Sequence, residues 1–154
     1  MTVKKTIEYE EVRLAALDDD DRQLMAAAIE ATNSAYAPYS HFHVGAAARL
    51  ADGTVVCGSN QENVAYPSGL CAERTALFAA GAQHAGQPVV ALAIVGRTPE
   101  GALTAALPCG ACRQVMAEQR LRQSEALRVL CYRDEDKIWL FADVEALLPF
   151  AFSM

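Results

Sequence analysis

Three cysteines and one glutamate carry the chemistry that this sequence suggests. Cys109 and Cys112 form a C-x-x-C pair at the start of a predicted helix, in "PCGACRQVM". Residues i and i+3 share a helix face, so both sulfurs can point at one ion. Pro108 stands where a helix entry tolerates proline, and the positive helix end favours thiolates. Alone, such a pair fits a redox couple, a structural zinc site or a catalytic one. Cys71 narrows the choice, because it opens a second predicted helix directly after "YPSGL". Three thiolates from two helix starts make a tetrahedral site with one position open, the mark of catalytic rather than structural zinc. Glu73, two residues on, is a carboxylate that is not needed as a ligand and is placed to move protons at that open position.

The elements that must hold these groups follow from pattern. The stretch 18–37, "DDDDRQLMAAAIEATNSAYA", is an amphipathic helix with Leu24, Met25, Ala28, Ile29, Ala35 and Tyr36 at helical spacing. Its acidic run reads as a solvated start favoured by the helix dipole. Segments 42–50 and 54–60 flank an Asp-Gly turn and form a hairpin. Helices are predicted over 71–83 and 109–121. Residues 89–96, "VVALAIVG", read as a central strand covered on both faces. Residues 126–132 and 137–141 form a second hairpin, and 142–150 a short closing helix. The order α-β-β-α-β-α-β-β-α predicts a three-layer α/β/α sandwich around a five-stranded mixed sheet, with 1–154 as a single domain.

Composition bounds the rest. The 154 residues are 53% apolar and 21% charged, with a formal net charge of −6. This charge, with arginines scattered rather than clustered, argues against a nucleic-acid partner. No run approaches the roughly 20 apolar residues of a membrane span. The first residues lack the apolar centre of a signal peptide, and five cysteines is an odd number. Both observations favour reduced thiols and a cytoplasmic location. Cys57 and Cys131 lie in apolar strand patterns and read as core residues. His41, His43 and His84 read as ordinary surface or loop histidines, and Trp139 and Phe150 as packing residues.

C-x-E followed by P-C-x-x-C matches the known signature of zinc deaminases. "YAPYSHFHVGAA", "NQENVAYPSGLCAERTA", "PCGACRQVM" and "LLPFAF" together resemble the motifs of the small, homotetrameric cytidine deaminases, from about Tyr36 to Phe152. The resemblance implies one Zn²⁺ per chain on Cys71, Cys109 and Cys112, with Glu73 as proton shuttle. It implies that Asn60 and Glu62 hold the ribose 3′-hydroxyl, that Phe42 packs on the pyrimidine, and that the Ala72 backbone contacts the base carbonyl. Tyr66 and Phe152 match residues lent by a neighbouring subunit. Arg74 matches an arginine bonded to the zinc thiolates, drawing off charge that would blunt the metal. Gln114 is expected to support the same centre.

The implied reaction is hydrolysis of cytidine and deoxycytidine to uridine and deoxyuridine plus ammonia, in pyrimidine salvage. Gln61, His41 and His43 depart from the family pattern and bear on substrate preference. The rivals are a deaminase of another aminopyrimidine nucleoside such as blasticidin S, a polynucleotide deaminase, and a structural zinc module without turnover. Phe42 and the Asn60/Glu62 pair speak against the first. The acidic charge and the short hairpin between the last two predicted strands speak against the second. The third leaves Glu73 without a purpose.

Overall fold

A computed structural model describes residues 1–154. Strand β1 (Glu10–Arg13) leads into α1 (Asp19–Ala31). The hairpin β2 (His43–Leu50) and β3 (Val55–Ser59) precedes α2 (Ala72–Gln83), β4 (Val89–Arg97) and the short β5 (Leu103–Thr104). Then come α3 (Gly110–Leu121) and the hairpin β6 (Arg128–Tyr132) and β7 (Lys137–Phe141). The sheet runs β1-β7-β6-β4-β2-β3, with β5 paired to the end of β4.

The sheet is mixed. Only β4 and β6 pair in parallel, a connection that needs a crossover element, and α3 is that element. Because β3 and β4 are both antiparallel to β2, they point the same way, and α2 crosses between them over β2. Both helices therefore lie on one face and run in the same direction. Their N-termini meet at one end of the sheet.

Side-chain alternation separates the two faces. Ala46, Ala48 and Leu50 of β2 and Leu92 and Ile94 of β4 pack with Ala76, Leu77 and Met116 under α2 and α3. Ala47, Ala91, Ala93 and Val95 point the other way, against Leu24, Met25 and Ala28 of α1. Gly58 lets α2 approach β3, since a Cβ there would collide with the backbone of Ala72 and Ala76.

Several sequence expectations need correction. The sheet has seven strands, not five. β1 escapes notice because "EEVR" is mostly charged, as befits an edge strand. Its pairing with β7 is reinforced by Tyr9, whose ring lies 4.7 Å from Trp139 and 5.5 Å from Phe141. β5 has two residues, too few for any periodicity. The closing helix is only a 3₁₀ turn, Val144–Ala146. The first helix stops at Ala31 and tightens into a 3₁₀ turn, Thr32–Ser34, leaving Ala35 and Tyr36 outside it. Cys57 is exposed, because Val55 and Cys57 of edge strand β3 face outward while Val56 and Gly58 face α2. Phe150 is exposed too, at 88%.

The acidic run is not all solvated. Asp18 caps α1 by accepting from the Asp21 N–H at 2.8 Å. Asp21 itself is 1% exposed. It is bonded to Arg49 of β2 at 3.0 Å and to Arg128 of β6 at 2.5 Å, tying the helix start to two strands. Removing one partner from a buried ion network leaves charge uncompensated. Asp21→Asn should therefore lose about 3 kcal/mol in denaturant unfolding. Asp19→Asn, on the exposed side of the same turn, should leave stability unchanged within error.

Candidate active site

Cysteine occupies the N-cap of both parallel-running helices. Cys71 caps α2 and Cys109 caps α3, each with extended backbone. An N-cap side chain sits beside the unpaired N–H groups of the first turn. A sulfur there meets positive potential instead of bulk water. Cys112, buried in the first turn of α3, completes the group. The three sulfurs lie within 4.8 Å of one another, with Cys71 to Cys109 at 3.9 Å and Cys109 to Cys112 at 3.5 Å. Four ligands at about 2.3 Å from a tetrahedral zinc are roughly 3.8 Å apart, so the spacing fits that ion. It is the one cluster of three or more potential metal ligands in the chain, and it contains no histidine.

Electrostatics favour an ionised sulfur at Cys71. The Cys71 thiol is lowered to about 5, first by a hydrogen bond with Cys112 and then, against burial, by Arg74. The proton is left on Cys112, whose own value is pushed up. Arg74 Nη2 donates to Cys71 Sγ at 3.5 Å, and no other basic side chain bonds to any of the three sulfurs. Cys131, by contrast, is buried in β6 behind the site, and burial pushes it up to about 12.

Glu73 follows Cys71 in the first turn of α2 and is 4% exposed. Burial, aided by the neighbouring Cys71 charge, raises its carboxyl from 4.5 to about 7. A pocket of about 510 Å³ opens beside Cys71 and Arg74, lined also by Tyr39, Ser40, Asn60, Gln61, Glu62 and Tyr66. Its floor is cross-braced. Asn60 Oδ1 accepts from the Val44 N–H at 2.8 Å, and its Nδ2 donates to the Phe42 carbonyl at 2.9 Å. Glu62 accepts from the Tyr39 and Ser40 N–H groups at 2.9 and 3.2 Å and from the Ser40 hydroxyl. These bonds, the Ser40 hydroxyl first, hold its carboxyl below the usual range. Gln61 Nε2 donates to the Ser34 carbonyl and to Ser59 Oγ, anchoring the loop to the 3₁₀ turn that follows α1 and to the end of β3.

The other expected site residues fall around this centre. Ala72 is buried at the head of α2. Phe42 does not line the pocket; its ring lies over Gly96 of β4, where a Cβ would come within 2.6 Å of Cζ. Tyr66 stands exposed at the rim, edge-on to Tyr39 with ring centroids 6.0 Å apart. Phe152 is 71% exposed, outside the pocket of its own chain. Gln114 does not bond to a sulfur; its amide is taken up by the backbone of Phe152. Sequence reasoning missed Tyr39 and Ser40. They stand in "YAPYSHFHVGAA", a motif that carries the resemblance without singling out either residue.

The family pattern described as "Cytidine and deoxycytidylate deaminase zinc-binding region" matches residues 18–126. The chain belongs to this family. A cytidine deaminase of Halalkalibacterium halodurans is 50% identical over 99 residues, 64% of this chain and 71% of that protein. One from Mycobacterium tuberculosis is 45% identical over 101 residues, 66% of this chain and 72% of that protein. The crystal structure of the Burkholderia pseudomallei cytidine deaminase superposes with a TM-score of 0.72 at 42% identity, covering 84% of this chain and 97% of that one. The deaminase is thus a hydrolase of C–N bonds, and its three-cysteine cluster suits the zinc of its family.

Glu73 makes the site costly to keep folded. Its folded-state value lies above its unfolded one, so below pH 4.5 the carboxyl is neutral in both states and costs nothing. As pH rises from 4.5 to about 7 only the unfolded chain ionises, and stability falls. In metal-free protein, Glu73→Gln should match wild type near pH 4.5. By pH 8 it should be more stable by roughly 3 kcal/mol, as read by denaturant unfolding across that range.

Proposed function

We propose that this deaminase converts cytidine and deoxycytidine to uridine and deoxyuridine plus ammonia, as a cytoplasmic enzyme of pyrimidine nucleoside salvage. The observation that carries the reading is a buried carboxyl, raised to about 7, next to three converging sulfurs. Such a group holds and releases a proton near neutral pH. Zinc bound by Cys71, Cys109 and Cys112 would supply the Lewis acidity that makes water a nucleophile at that pH.

The remaining work falls to the chain itself. Glu73 accepts a proton from the attacking water and passes it to N3 of the pyrimidine as C4 becomes tetrahedral. It then takes the second proton of that water and delivers it to the departing amine. Arg74 and the start of α2 favour the ionised form of Cys71. Low water content around Glu73 strengthens each of these interactions.

The pocket has the donor and acceptor that a sugar hydroxyl needs. An ionised carboxylate offers about four lone-pair positions, and three of those on Glu62 are filled. One acceptor remains, and Asn60 keeps its second amide hydrogen. Together they suit the ribose 3′-hydroxyl, with the Ala72 N–H toward the base carbonyl; Phe42, whose ring lies over Gly96 outside the pocket of the free chain, would have to turn to pack on the pyrimidine. We further propose a homotetramer in which Tyr66 and Phe152 complete sites of neighbouring subunits. Their exposure in the single chain supports this, since large exposed apolar side chains favour a partner surface.

The test is the loss of cytidine absorbance with time, with and without a strong chelator. Turnover should stop on chelation and return with zinc. Glu73→Gln should keep its zinc and fold but lose activity by about 10⁴-fold or more, the upper end for general acid–base catalysis, because one group serves several transfers. Activity within tenfold of wild type would remove Glu73 from this role.

A further inference from the structure

We propose that Gln114 is a positioning residue that acts through the C-terminal tail, holding Phe152 in the register from which its ring reaches a substrate site. The inference rests on the reading above that Phe152 contributes to such a site.

Gln114 lies two residues after Cys112 on α3, where support for the sulfurs would be expected. Its carboxamide instead makes two bonds to one residue. Nε2 donates to the Phe152 carbonyl at 2.9 Å, and Oε1 accepts from the Phe152 N–H at 3.1 Å. The amide thus imitates one rung of an antiparallel ladder. A single bond would let the tail swivel about it. The pair fixes the peptide plane on both sides of Phe152 and so the direction in which its ring leaves the backbone.

Little else holds this segment. Past Leu147 the tail makes no backbone–backbone hydrogen bond. Arg113 Nη1 donates to the Leu147 carbonyl at 3.1 Å. Lys5, from the N-terminal segment, donates to the Pro149 carbonyl at 3.1 Å and lies 5.5 Å from the Phe150 ring centroid. A segment without backbone hydrogen bonds stays ordered only where side chains tie it down, because ordering each residue costs more than one exposed hydrogen bond returns. The paired amide is the tie nearest Phe152. The run Cys112-Arg113-Gln114 therefore serves two purposes from one helical turn, a metal ligand followed by two anchors for the tail. Helix α3 couples the placement of the metal to that of Phe152.

The test compares Gln114→Leu, Phe152→Ala and the double variant as zinc-loaded enzymes. Kinetics with cytidine, zinc content and hydrogen exchange at the Phe152 amide are measured. Gln114→Leu should raise KM about five- to tenfold, the worth of one or two neutral hydrogen bonds. It should leave kcat within about twofold and zinc unchanged, and it should speed exchange at Phe152. The double variant should be no worse than Phe152→Ala alone, because the two residues act in series. Gln114→Glu keeps the size but replaces the donor with a charge facing a carbonyl. It should behave as Gln114→Leu does, and it stands in if that variant fails to fold. A Gln114 variant that loses zinc, or loses kcat at constant KM, would place Gln114 at the metal centre and overturn the proposal. So would effects of the two single variants that multiply. Wild-type KM in Phe152→Ala would overturn the underlying reading of Phe152, and the proposal with it; that single variant separates the two failures.

Discussion

Two helices running side by side in the same direction bring two positive ends to one place. That follows from connectivity: α2 and α3 each cross from one strand to another that points the same way, over the same face of the sheet. Ordinary N-caps would fill those ends with hydroxyls or carboxylates. Here both caps are cysteines, and a third cysteine stands in the first turn of α3. The charge that α2 would otherwise present to solvent favours a thiolate at Cys71. The placement of the cysteine cluster is thus a consequence of strand order and connectivity as much as of the cysteines themselves.

The rest of the site hangs from the same corner. Glu73 is brought next to Cys71 by the helix that Cys71 begins, and its burial against the sheet raises its carboxyl to about 7. Arg74, next along, turns back to the sulfur. On the far side of the pocket, the 60–62 loop is braced through Asn60 to β2, through Glu62 to the turn at Ser40, and through Gln61 to the 3₁₀ turn that follows α1. α1 is in turn fixed to the sheet by Asp21 and its two arginines. A chain of polar contacts therefore links the start of α1 to the pocket, while α2 and α3 set the metal side.

Much of this was legible in the sequence because the groups involved come in short, ordered runs. P-C-x-x-C keeps its spacing on a helix, and the resemblance to the zinc-deaminase signature joins C-x-E to it, so the three sulfurs could be placed together from the sequence. Pattern located α1, α2, α3 and the strands β2, β3, β4, β6 and β7. The charged edge strand β1 and the long-range contacts were not legible. β1 carries charge where a strand is expected to alternate, and its partner lies more than a hundred residues away. Asp21 is one of four consecutive aspartates, and nothing local distinguishes it; only the arrival of Arg49 and Arg128 makes it a buried ion. Gln114 looked like part of the metal centre because it is near Cys112 in the chain. The direction of its side chain is set by a tail 38 residues further on.

The claim on which the account turns is that three thiolates, and no other protein group, hold the metal. X-ray absorption at the zinc edge of the purified protein tests it directly. Three sulfur scatterers at about 2.3 Å and one lighter atom at about 2.0 Å are predicted. A fourth sulfur, from Cys57 or Cys131, or the ring scattering of a coordinated histidine would contradict it, since either would close the position that the chemistry needs.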